Sequence, residues 1–175
     1  MQIYIPVTLP MLQQLVTDES LWPVNGTAFA VTPRLREAYA EGDDEELGDV
    51  ALREAAMASL RLLAGVGDGA DGAGQPGETI PPPRRAVLVA DVADVTLRPD
   101  LDDAVVRIKA PVTTDDVVAA YVDNAAAEAH VTAAVAVIDA ADLGDEDAEL
   151  TVGDAQDNDL AWYAVQELPF LLELL

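Results

Sequence analysis

The chain has 175 residues, with 33 acidic against 9 basic side chains and a formal charge of −24. A field of that sign repels phosphate backbones and anionic bilayers, so direct nucleic-acid binding and membrane-surface binding are excluded as its uses. There are no cysteines, which removes disulfides, thiolate metal sites and cysteine nucleophiles. No apolar run reaches the roughly 18–20 residues of a membrane helix, and the N-terminus lacks a basic leader region, so the chain reads as cytoplasmic.

Apolar residues make up 51% and aromatics 5%, which predicts a core of Val, Leu, Ile and Ala. The length predicts a single domain over residues 1–175. Charge is uneven: residues 1–100 carry 16 acids and 7 bases, residues 101–175 carry 17 acids and only Arg107 and Lys109.

In chain order, Gln2 to Val7 predicts a strand, β-branched and aromatic. Thr8 caps a short helix with Pro10 in its first turn and Leu9, Leu12, Leu15 and Val16 on one face. Thr27 to Val31 predicts a second strand, and Thr32 with Pro33 opens another helix. The acidic run Asp43 to Glu46 suits a helix start, and apolar spacing carries that helix to about Ala64. Residues 66–83, rich in Gly, Ala, Asp and Pro, predict a flexible loop.

Ala86 to Val92, Val95 to Leu97 and Ala104 to Ile108 predict three strands. Two readings are open for 113–122, a helix capped by Thr114 or a strand over Val117 to Val122. The strand is preferred, because the apolar run is short and ends at Asp123-Asn124. A helix over about 125–141 follows. Asp142 to Glu149 and Asp154 to Asp159 read as acidic loops flanking a short strand, Leu150 to Val152. Leu160 to Val165 reads as a last strand, before a closing helix over Glu167 to Leu174 with Pro169 in its first turn. Tyr4, Leu9, Pro10, Leu12 and Leu15 are echoed at Tyr163, Leu168, Pro169, Leu171 and Leu174, which suggests pseudo-symmetric strand–helix units at the two termini. The predicted architecture is α+β, a mixed sheet flanked by helices.

Three segments, Ile3-Tyr4-Ile5-Pro6-Val7-Thr8-Leu9-Pro10, Gly26-Thr27-Ala28-Phe29-Ala30-Val31-Thr32-Pro33 and Trp162-Tyr163-Ala164-Val165-Gln166-Glu167-Leu168-Pro169, together resemble signature segments of a family of acidic actinobacterial proteins of unknown function. The resemblance spans nearly the whole chain apart from the loop around Gly69. It implies a bacterial, cytosolic protein and brings no activity, cofactor or catalytic residue with it.

The acid clusters invite a metal reading, because hard cations take several oxygen ligands. Asp154, Asp157 and Asp159 are the candidates, although turn and helix-cap chemistry accounts for the same residues. Arg84 and Arg85 are the anion-binding candidates, since guanidinium grips carboxylate or phosphate bidentately. Against this, arginines in so acidic a chain usually pair with nearby carboxylates, and that reading is preferred. His130 is the lone histidine and has no identifiable catalytic partner. Ser20 and Ser59 lie outside any nucleophile context, and the glycines of 65–77 do not form a phosphate loop. Trp162 and Tyr163 read as core packing within their strand. Phe170, Leu171 and Leu174 lie on a helix apolar on most sides, a candidate interface for self-association.

No catalytic constellation and no cofactor motif emerge. The reading that follows is a non-enzymatic binding or regulatory module for a basic protein partner or for a second copy of itself. The alternatives are a divalent-metal-dependent enzyme using clustered carboxylates, and a DNA mimic that presents acids to a nucleic-acid-binding protein.

Overall fold

In the computed structural model, which describes residues 1–68 and 82–174, strand β1 (Gln2–Val7) leads directly into helix α1 (Leu9–Asp18). Thr8 is extended and its hydroxyl accepts the Met11 N–H, which satisfies one of the helix's open donors while Pro10 occupies a position that needs none. The same device starts α2 (Pro33–Ala38), where the Thr32 hydroxyl accepts the Leu35 N–H. Between them lie β2 (Ser20–Leu21) and β3 (Thr27–Phe29).

Helix α3 (Asp44–Asp68) begins with three acids in its first turn, as its sequence predicts, and runs past the expected end at Ala64. Residues 69–81 of the expected loop lie outside the described residues. The strands β4 (Ala86–Asp91), β5 (Val95–Leu97), β6 (Val105–Ile108), β7 (Val112–Thr113) and β8 (Val117–Val122) follow. The preference for a strand at 117–122 therefore holds. Helix α4 (Glu128–Asp142), helix α5 (Glu146–Gln156), strand β9 (Ala161–Ala164) and helix α6 (Leu168–Glu173) complete the order.

One expected stretch is overturned. Residues read as two acidic loops around a strand at Leu150 to Val152 form α5 instead. Asp145 caps it by accepting the Ala148 N–H, Glu146, Asp147 and Glu149 sit in its first turn, and Ala148, Val152 and Ala155 form its buried stripe. Acids at the positive end of a helix are stabilising, and a stripe of small side chains is a weak apolar signal.

Seven strands form one sheet in the order β5-β6-β3-β1-β4-β8-β9, and β2 pairs with β7 in a small second sheet. Every described ladder is antiparallel. The chain is α+β, with helices on both faces. Side chains alternate across the sheet. Ile3, Ile5, Val7 and Leu88 face one way, into a core with Leu9, Leu12 and Leu15 of α1 and Leu168 and Leu171 of α6. Phe29, Val87 and Tyr4 face the other way, against Leu47, Ala51 and Ala55 of α3. The far half of α3, through Leu60 and Ala64, packs on the α4–α5 hairpin through Val131, Ala134, Ile138 and Val152. Ser59, fully buried on α3, donates to the Val7 carbonyl at 2.7 Å and accepts the Ala86 N–H at 3.0 Å, which ties the helix to paired ends of β1 and β4. No described helix is long and apolar enough to cross a membrane.

The strand–helix order repeats at the two ends, and α1 and α6 share one core. The side-chain roles do not repeat. Tyr4 packs on the α3 side, whereas Tyr163 packs on the side of α1 and α6. Leu15 is buried, whereas its counterpart Leu174 is exposed. A single 3₁₀ turn over Val165–Glu167, with no equivalent after β1, separates β9 from its helix and offsets the second copy.

Candidate functional site

Helix α3 and the segment joining α5 to β9 stand apart from each other over the sheet. The cleft between them has a volume of about 670 Å³. One wall is Asp49, Leu52, Arg53 and Ala56 of α3. The other is Gln156 to Leu160, and Arg85 forms part of its base. Leu52, Tyr4, Tyr121 and Leu160 pack on the same core cluster, so the apolar base of this region is aromatic and aliphatic. Trp162 pairs with Tyr121 across β8 and β9 and shares Leu160's parity along the strand. It therefore continues that surface outward. Sequence reasoning places Trp162 in the core, but its side chain is 57% exposed, because α3 covers the centre of the sheet and not the β9 edge.

The two arginines singled out as anion candidates are both engaged. Arg85 is 2% and Asp123 0% exposed, and they form a closed pair. Asp123 Oδ2 accepts both the Arg85 backbone N–H and its Nε–H, Oδ1 accepts from Nη2, each at 2.8 Å, and the Asp123 N–H returns a bond to the Arg85 carbonyl at 3.0 Å. Arg85 Nη2 also donates to the Asn158 carbonyl at 2.8 Å, which anchors the cleft's outer wall. Arg84 donates to the Asp123 carbonyl at 3.3 Å and to Glu128 at 3.4 Å. Guanidinium groups matched in this way have no open fork for a phosphate. In the structure Arg84 and Arg85 are therefore found in ion pairs with carboxylates of the chain.

The acids proposed as metal ligands are divided between elements. Asp154 lies in the last turns of α5, Asp157 caps its end, and Asp159 follows in the lead to β9. Asp157 and Asp159 line the cleft, with Asp49 opposite. Among the described residues no group of three or more acid or histidine side chains is arranged to hold a metal ion. His130 Nδ1 lies 2.9 Å from the side-chain amide nitrogen of Asn158, on the solvent side of α4. Of the expected interface, Leu171 is part of the core, while Phe170 and Leu174 are 68% and 85% exposed.

Burial raises the Tyr4 hydroxyl pKa above its ordinary value, and Tyr121 and Asp49 add to the effect. The folded chain therefore holds this proton to a higher pH than the unfolded chain does. That contribution is complete below about pH 10 and is lost as the pH rises through the raised value. Tyr4→Phe should flatten the alkaline limb of a stability-against-pH curve measured by urea denaturation. An unchanged limb would show that Tyr4 is not the group that titrates.

A family model matches residues 1–172, nearly the entire chain. The chain belongs to DUF6912, a family of unknown function. No curated protein and no solved structure gives a significant match. The family match spans the whole arrangement of the cleft, from Asp49 on α3 to Leu160 before β9. It names a DUF6912 architecture and assigns it no chemistry.

Proposed function

We propose that this DUF6912 protein is a non-enzymatic binding module for a basic protein partner. The supporting observation is the way its few cations are used. Arg34, Arg36, Arg61, Arg84, Arg85 and Arg98 are each held by a carboxylate of the chain. Of the nine bases, only Arg53, Arg107 and Lys109 are outside such pairs among the described residues. Cations spent internally leave the outward field to the surplus acids, and a field of one sign steers oppositely charged partners and rejects like-charged ones.

The test is capture from native cytosol by the chain and by a variant with α5 partly neutralised (Glu146→Gln, Asp147→Asn, Glu149→Gln), followed by titration of the purified pair. The expected partner is basic, binds the variant more weakly, and loses affinity as salt rises. A tight partner that is itself acidic, or affinity indifferent to salt, would sink this reading. Self-association through exposed Phe170 and Leu174 is the second reading. Sedimentation velocity tests it directly, and a chain that stays monomeric at high concentration rules it out.

A further inference from the structure

We infer that the outer edge of β9 accepts an extended basic segment of another protein as an added strand, with one of its cationic side chains over Trp162 beside the Asp157 and Asp159 carboxylates. This deepens the binding-module reading and rests on it.

Strand β9 ends the sheet, with β8 on its inner side and no described strand beyond it. The direction of its main-chain groups can be read from one bond. The Ala164 N–H donates to the Glu167 carboxylate at 3.1 Å and so does not point to β8. Outward groups recur every second residue in an antiparallel ladder. The N–H and C=O of Trp162 therefore face outward as well, on a position whose side chain is already exposed.

Sheet edges of this kind are normally blunted by lysine, proline, a bulge or a covering element, because open N–H and C=O groups template pairing with any other chain. The four residues Ala161-Trp162-Tyr163-Ala164 contain none of those protective residues. Val118, next to it on β8, is also exposed. Among the described residues, what guards the edge is the Glu167 carboxylate on the Ala164 N–H and the charge of the chain. A second copy of the chain brings another −24 to the encounter, and like charges set against each other disfavour that pairing. A lysine- or arginine-bearing strand meets the reverse. Its backbone pairs with Trp162 in the manner of strand addition, where main-chain bonds give affinity and alternate side chains give specificity. Its cation gains both the face of an indole and nearby carboxylates. Arg53, one helical turn from Asp49, offsets part of the acid on the opposite wall and leaves the β9 side the more negative.

The experiment uses the full chain in a Trp22→Phe background, which leaves Trp162 as its only tryptophan. The probe is an alternating lysine–valine peptide, with a second version N-methylated at every other backbone nitrogen, so that charge is kept and strand pairing is blocked. Trp162 emission should shift on adding the first peptide. The N-methylated peptide should bind at least about tenfold more weakly, and Trp162→Ala should weaken the first peptide similarly, read by isothermal titration. An unchanged thermal melt of Trp162→Ala establishes that its fold is intact. Equal binding of both peptides with Trp162→Ala neutral overturns the edge inference and leaves the charge-driven reading standing. Binding of neither peptide at low salt overturns both. Dimers of the free chain that Trp162→Ala dissolves would assign the edge to a second copy and overturn the basic-segment inference.

Discussion

Arg85→Ala should remove about 3–5 kcal/mol of folding stability, the usual result of deleting one partner of a buried ion pair. For a chain of this length about 2–4 °C accompanies each kcal/mol, so the melting midpoint should fall by roughly 6–20 °C. The reason lies with the residue left behind. Asp123 has no solvent exposure and takes three hydrogen bonds from Arg85, two of them from the guanidinium. Alanine keeps the backbone bond but removes the two guanidinium bonds and their charge, so the carboxylate is left buried and without its counter-ion. The variant also frees the Asn158 carbonyl, so the cleft's outer wall should loosen before the core does. Thermal unfolding followed by circular dichroism measures the first effect, and hydrogen exchange at 156–160 measures the second. The paired change Arg85→Met with Asp123→Leu should recover part of the loss, because it removes both charges together. A single-variant loss below about 1 kcal/mol would mean that the pair is hydrated after all.

Ser59→Ala should be the second most damaging of these changes, at about 2–4 kcal/mol, although it deletes only one oxygen. The hydroxyl serves two buried main-chain groups at once, the Val7 carbonyl and the Ala86 N–H, which face each other at the end of the β1–β4 ladder. Alanine takes this partner from both where water does not reach, and an orphaned buried donor or acceptor costs about 1–3 kcal/mol. The midpoint of urea unfolding should fall with its slope unchanged, since the surface exposed on unfolding is the same. A variant as stable as the parent would place water at this helix–sheet junction.

Much of the architecture is legible in the residues because the signals are local. Thr8 with Pro10 and Thr32 with Pro33 mark helix starts within four residues of chain, and the structure uses them so. Val117 to Val122 is recognisable as a strand from its shortness and its stop at Asp123-Asn124. Helix α5 is not, because its buried stripe consists of Ala148, Val152 and Ala155 while acids crowd its first turn. Those acids also favour turns, and nothing local separates the two roles. The candidate site is harder still. Arg85 finds Asp123 through the β4–β8 pairing, and the cleft is made by α3 and by residues 156–160, distant in sequence. The exposure of Trp162 follows from where α3 ends its cover, a property of packing that no residue near position 162 records.

The place of β1 in the middle of the sheet has a consequence for how the chain assembles. Its first residues pair with β4 about eighty positions away, Gln2 with Asp91 and Val7 with Ala86. Such separation raises contact order and slows folding, because a long loop must close before its contacts form. At about 5–20 residues per second of synthesis, β1 waits roughly 4–16 s for that partner to be made. Through that interval it has only β3, bridged at Tyr4 and Phe29, beside it. The nascent chain thus carries an apolar strand half-paired until the second half of the sheet arrives, and the like charge of neighbouring copies keeps unfinished chains apart through that interval.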